Sequence, residues 1–261
     1  MSELIVVLAV VVAIAAAVRS TWSPCGLSML STITPMGERG RGRRFSVTAA
    51  WFIVGAVMGG LTLGLGAAAL AALVSVAGPS VAMALGLASV AAWITAGSDL
   101  NVVGRQFPNH PRQVNEQWLD RYRAWVYGAG FGWQIGVGVA TYIMTAAVYL
   151  VVVLAALTAS PLVALAICGF FGLVRGLAIL LTARITTPVR LRAFHRRFTA
   201  LAEPVRIAVI AVQLLVACIA AAAVWGVVAA AVSLVVVVVM VSMARRTSTR
   251  PVRDAGVAVA G

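Results

Sequence analysis

An arginine, four hydroxyl side chains, a proline and a cysteine interrupt an otherwise apolar N-terminal run: Arg19, Ser20, Thr21, Ser23, Pro24, Cys25 and Ser28. The chemistry open to such a set is that of a thiol near a positive charge. A neighbouring cation favours the thiolate, the form of cysteine that reacts, and Arg19 precedes Cys25 by six positions. A proline inside a helix removes one hydrogen bond and clashes with the carbonyl four residues back. Backbone groups freed in this way persist in lipid only where protein or a wet cavity satisfies them. Ser23-Pro24-Cys25-Gly26 is therefore predicted to be a break in a membrane helix that opens on the protein interior. The plainer alternative is that Pro24-Cys25-Gly26 is a helix kink and nothing more.

A second charge, Arg175, stands inside the apolar stretch Gly172-Leu173-Val174-Arg175-Gly176-Leu177. An ionised side chain within a span costs on the order of 2.5–3.5 kcal/mol on insertion scales, so it usually faces a cavity or a partner. Apart from Glu3, no acidic residue falls within a predicted span. Arg19 and Arg175 are thus expected to meet backbone carbonyls, hydroxyls, lipid phosphate or an anionic solute. For Arg175, eight residues before Ala183 at the end of its span, snorkelling to the interface is the competing reading. Thr141 and Tyr142 follow a glycine-rich half-span and supply further hydroxyls. Cys168 and Cys218 lie in apolar helical runs, where cysteine serves as a small buried hydrophobe.

The elements that must position these residues are membrane helices. The chain has 261 residues, 62% hydrophobic and 10% charged, well beyond the apolar share of a soluble domain. Its apolar runs are long rather than alternating ten-residue segments, which excludes a β-barrel. All 20 basic residues are arginines, giving a net charge of +13. Eighteen of them fall in residues 37–44, 105–123, 184–206 and 245–253, whereas the intervals at 75–80 and 158–161 carry no charge. That is the positive-inside pattern, with the N-terminus outside and the C-terminus cytoplasmic in a bacterial inner membrane. Nucleic acid is not an expected partner, because no recognition motif accompanies the charge. The lipid bilayer is.

The predicted fold is an all-α polytopic bundle of about seven spans within a single transmembrane domain over 1–244. Its halves cover about 4–98 and 126–224, with an extra span at 227–243 and a disordered tail at 245–261. The 37-residue apolar interval 207–243 is too long for one helix and is divided at Trp225-Gly226. The acidic Met1-Ser2-Glu3 start reads as the head of a first membrane helix rather than a cleaved signal. Spans one to three and four to six run in opposite senses, the arrangement of a 3+3 inverted repeat whose broken helices meet at a binding site. His110, flanked by Pro108 and Pro111, has no second ligand at metal spacing, and no metal or cofactor is expected.

A Ser-Pro-Cys in the first membrane helix, a short basic loop, a glycine-rich second helix and opposed three-helix halves resemble the CcdA/DsbD family. Specific identity is confined to residues 22–26 and to 172–180. The resemblance implies a thiol–disulfide conduit serving cytochrome c biogenesis or extracytoplasmic thiol reduction, with a thioredoxin-like partner. The chain departs from it by lacking a cysteine in span four. The resemblance then leaves Cys25 as the redox thiol, paired with Cys168 or with a thiol of a partner protein. The leading expectation is a transporter-like protein on this scaffold that moves a small anionic or sulfur-containing solute. Its path is lined by Arg19, Ser23, Pro24, Cys25, Gly26, Thr141, Tyr142 and Arg175. The alternatives are the redox conduit and a non-catalytic assembly subunit that grips another membrane subunit through its glycine-rich faces.

Overall fold

The structure, a computed structural model, describes residues 3–102, 122–139 and 143–248. Among the described residues the regular structure is all helical. The helices are α1 (Glu3–Ser20), α2 (Pro24–Thr32), α3 (Pro35–Gly40), α4 (Phe45–Ala77), α5 (Val81–Asp99), α6 (Ala124–Val137), α7 (Ala147–Leu157), α8 (Pro161–Leu177) and α9 (Pro188–Ser248), with a 3-10 turn at Ala178–Thr182 after α8. Five helical stretches are long and apolar enough to cross a membrane: Glu3–Ser20, Phe45–Ala77, Val81–Asp99, Pro161–Thr182 and Pro188–Gly226. The α6–α7 pair takes the place of the predicted fourth span, and neither helix is long enough to cross alone. The protein is a polytopic helical membrane protein.

Because these helices are apolar all round, polarity does not mark the buried face, which joins small residues to a few large ones such as Ile5, Leu8 and Val12 on α1. On α1 the inward face carries Ala9, Ala13, Ala16 and Ala17, whereas Val7, Val11, Ile14 and Val18 are exposed. Small residues let backbones approach closely, which is how helices associate in lipid. The same logic is strongest on α4, the central helix, which packs most extensively on α6 and α8. A Cβ on Gly55 would collide with the carbonyl of Ala129, and one on Gly60 would collide with the Cys168 carbonyl and reach 2.9 Å from the Gly172 Cα. The glycine faces are therefore used within the chain.

The predicted division at Trp225-Gly226 falls where α9 changes direction. Gly226 has φ 70° and ψ −159°, a conformation foreign to a helix. The helix continues to Ser248, and residues 249–261 of the predicted tail lie outside the described residues. So do His110 and most of the long connection after α5.

At the end of the bundle where the arginine-rich segments gather, a second core forms from Leu30, Ile33, Phe52, Tyr127, Phe131, Ile179 and Phe198. A buried carboxylate ties it together. Glu38 Oε2 accepts from Thr48 Oγ1 at 2.6 Å and from Tyr127 Oη at 2.5 Å, and Oε1 accepts from Arg41 Nη1 at 3.3 Å.

Candidate functional site: two interrupted helices on one buried arginine

The first break is built from a helix end and a helix start. After α1 the backbone tightens into three-residue turns: Thr21 N donates to Val18 O, Trp22 N to Arg19 O and Ser23 N to Ser20 O. Ser23 then takes an extended conformation and caps α2, its Oγ accepting from Gly26 N at 3.1 Å. Pro24 occupies the first position of α2, where a missing N–H costs nothing and the fixed φ is already helical. The expected break is present, but its cause differs from the prediction. Pro24 does not disrupt a helix from within; it begins a new one. Gly26 is required because a Cβ there would strike the Thr21 carbonyl.

The second break follows α6. Gly138 adopts φ 75° and ψ −41°, a backbone that favours glycine, and a Cβ there would lie 2.9 Å from the Phe171 ring. The start of α7 is capped from another helix. Asp99, the last residue of α5, accepts from Ala146 N through Oδ1 at 2.7 Å and from Thr145 Oγ1 through Oδ2. Gln213 Nε2 on α9 donates to the same Oδ2 at 2.8 Å.

Arg175 joins the two breaks. Its side chain is only 3% exposed. Nη1 donates to Ile135 O near the end of α6, and Nη2 donates to Ser20 O at the end of α1 at 3.5 Å. Helix C-termini carry partial negative charge and unpaired carbonyls, so one guanidinium satisfies both ends at once. Its ring neighbour is Phe171 at 5.7 Å, and Cys25 lies within its electrostatic reach. Arg175 does not snorkel.

The remaining predicted residues separate. Arg19, in the last turn of α1, is 8% exposed, and its Nε and Nη1 make no hydrogen bond among the described residues. Ser23, Cys25 and Gly26 are buried at the start of α2, whereas Pro24 is exposed. Cys168 is buried two turns along α8 from Arg175, against Gly60 and Gly64 of α4, and no disulfide joins it to Cys25. Thr141 and Tyr142 lie outside the described residues. Reasoning from sequence missed Asp99, Thr145 and Gln213. A signal existed for two of them: Asp99 is the acid that closes an apolar span, and Gln213 is the single amide in residues 207–243.

Trp22, within the first break, stacks on Phe198 of α9 with ring centroids 4.2 Å apart and donates from Nε1 to the Phe198 carbonyl at 2.8 Å. Ser31 Oγ meets His195 Nε2 at 3.0 Å one turn away. The arginine-rich first part of α9 is thereby strapped across α2.

These features define a multi-pass helical membrane protein with two interrupted helices closed on a buried arginine. No protein-family model matches the chain, and no solved structure does. Curated relatives do, and the chain belongs to the MauF family. It is 32% identical over 203 residues to methylamine utilization protein MauF of Paracoccus denitrificans, covering 73% of this chain and 70% of the relative. It is 28% identical over 186 residues to that of Paracoccus versutus, covering 71% and 68%. The MauF of Methylophilus methylotrophus is 30% identical over 175 residues, covering 65% and 60%.

This finding corrects the CcdA/DsbD resemblance, and with it the implied cytochrome c biogenesis role and thioredoxin-like partner. The physical reason lies in the motif itself. Identity over residues 22–26 reflects a serine N-cap followed by proline at the first helical position, a way of starting a helix that is independent of redox chemistry.

Proposed function

We propose that this chain is an integral membrane component of a methylamine utilization system, as the name of its relatives describes. Its working part is the polar belt where the two interrupted helices meet, through which a small polar solute passes. One observation carries the reading: Arg175 holds the carbonyl ends of α1 and α6 together inside the bundle. Irregular backbone at membrane depth is tolerated where it is buried in protein or lines a polar path, and transporters place solute sites at such breaks. The opposed senses of the two halves suit an inverted repeat, and the arginine distribution supports a cytoplasmic position for the arginine-rich end. Partner subunits of the same system would dock on surfaces other than the glycine faces, which α4, α6 and α8 use among themselves.

Two measurements test this. In a methylamine-growing bacterium lacking its own MauF, the chain should restore growth on methylamine, and Arg175→Ala should not, while growth on succinate is unchanged in both. Failure of the unaltered chain to restore growth, or full restoration by Arg175→Ala, rejects the proposal. For passage, Cys25 in a Cys168→Ala, Cys218→Ala background should react with a charged methanethiosulfonate reagent in membrane vesicles. Absence of labelling from both faces removes the solute path.

A further inference from the structure

Helices α4 and α6 run parallel and in register. A Cβ on Gly128 would lie 3.0 Å from Thr48 O, one on Gly132 would strike Phe52 O, and one on Gly136 would strike Ala56 O. That constant offset carries the two backbones side by side. Arg43 ties their starts together: its Nη2 donates to Tyr122 O at 2.9 Å, and its guanidinium lies 5.1 Å from the Tyr127 ring centre. Arg44 and Arg123, which immediately precede the two helices, are therefore brought to the same end of one seam, and both are exposed. Among the described residues neither guanidinium has an ion-pair partner. Glu38, the carboxylate bonded to Tyr127 in the same corner, is buried and already accepts from Thr48, Tyr127 and Arg41.

Beyond the arginines the seam is aromatic. Among the described residues four tryptophans are exposed, and three of them, Trp51, Trp125 and Trp133, flank it. The rings of Trp51 and Trp125 stand 6.1 Å apart. Trp133 follows eight positions after Trp125 on α6, about 12 Å further along the helix. Its Nε1 donates to Thr62 Oγ1 on α4 at 3.0 Å. An indole among acyl chains needs such a partner, because it carries one N–H and no water is there to accept from it. With the N–H satisfied from within the chain, the ring is left to meet hydrocarbon. Met58, one turn before Thr62, is exposed on α4 as well.

We propose that this seam binds a single anionic phospholipid, its phosphate on Arg44 and Arg123 and one acyl chain along Trp51, Trp125, Met58 and Trp133. Charge complementarity selects an anion, and a guanidinium meets phosphate oxygens through its planar fork of donors. The apolar run selects a lipid over a free anion, which would leave the rings unused. A zwitterionic phospholipid brings its own cation toward the arginines, whereas an anionic headgroup does not. Tryptophan supplies large contact area with few rotamers to lose, so the rings can hold one chain in place. The inference is independent of the solute path.

The test uses the full-length protein in phosphatidylcholine vesicles that contain a minor share of brominated phosphatidylglycerol, or the same share of brominated phosphatidylcholine. Bromine on an acyl chain quenches tryptophan on contact. Attraction of roughly fivefold per arginine predicts a preference of about twenty- to thirtyfold, so at about one lipid in ten the anionic lipid should fill roughly three-quarters of the seams. Quenching should therefore be clearly greater with the anionic lipid. The excess should vanish in the protein bearing Trp51→Leu, Trp125→Leu and Trp133→Leu. Arg44→Gln with Arg123→Gln should abolish it, and Arg44→Lys with Arg123→Lys should retain most of it. Arg196→Gln with Arg197→Gln, on another helix, should leave it in place. An excess that survives Arg44→Gln with Arg123→Gln overturns the site. So does an excess that Arg196→Gln with Arg197→Gln abolishes equally, because diffuse attraction to a basic surface would then account for it. Equal quenching by the two lipids also overturns it. Absence of quenching by both at the three seam tryptophans does the same, and would mark a second copy of the chain or another subunit as the occupant.

Discussion

Arg175→Met tests the central packing claim, because methionine keeps much of the volume and removes only the guanidinium. The side chain donates to Ile135 O and Ser20 O, both at helix ends. Hydrogen bonds involving a charged partner contribute about 1.5–3 kcal/mol each. The Ser20 bond, at 3.5 Å, lies at the outer limit and counts for about half of one. The loss comes to about 2–4 kcal/mol, reduced somewhat because no charge is then buried. For a chain of this size each kcal/mol corresponds to roughly 2–4 °C. Arg175→Met should therefore lower Tm in detergent by roughly 4–12 °C. Arg175→Lys, whose single ammonium can serve one carbonyl well, should fall between the two. A methionine variant that melts within about 1 °C of the unaltered protein would refute the claim that one arginine holds both breaks.

Three further outcomes follow from the packing. Glu38→Ala strips acceptors from Thr48, Tyr127 and Arg41 and should cost about 3–5 kcal/mol, whereas Tyr127→Phe should cost about 1–2 kcal/mol, both read from thermal melts. Gly60→Val drives a side chain into the Cys168 carbonyl and the Gly172 backbone, so the protein should fail to accumulate as a monodisperse species on size-exclusion chromatography. Trp22→Ala removes a stacked pair of about 0.5–1.5 kcal/mol and a hydrogen bond to Phe198 O. Trypsin should then cut faster at the exposed Arg190, Arg192, Arg196 and Arg197, and an unchanged cleavage rate would show that the strap is held by something else.

The class of protein was legible in composition, and the division of the last apolar interval was legible in Gly226. Both breaks were legible in outline, one from Ser23-Pro24 and the other from the glycines before Gly138. What Arg175 binds was not. Its partners are main-chain carbonyls, which carry no sequence signature, and Ile135 stands 40 positions away from it. Nor was the buried face of α1, since hydrophobic periodicity has nothing to report in a helix without polar residues. That Val12 turns inward with Ala9, Ala13 and Ala16 while Val7, Val11 and Val18 turn outward is visible only once neighbouring helices are in place. Asp99 was passed over for a simpler reason. It stands at the junction of a span and a polar connection, and only Thr145 and Gln213, distant in sequence, show that it belongs to the interior.

The depth of the break bears on what it can do. The 18 residues of α1 rise about 27 Å, close to the roughly 30 Å of a hydrocarbon core, so the break stands near the far end of the crossing rather than midway. The exposed rings of Trp51 and Trp125, 6.1 Å apart, mark an interfacial level at that same arginine-rich end. Arg19 therefore stands near the arginine-rich face, while the rest of α1 packs through buried side chains on α7 and α8. The two arginines divide the work accordingly. Arg175 has both helix ends as partners and fixes the geometry; the buried Nε and Nη1 of Arg19 have no hydrogen-bond partner among the described residues. Any displacement of α1 relative to α6 would have to break or carry Arg175, which grips both helices at their ends.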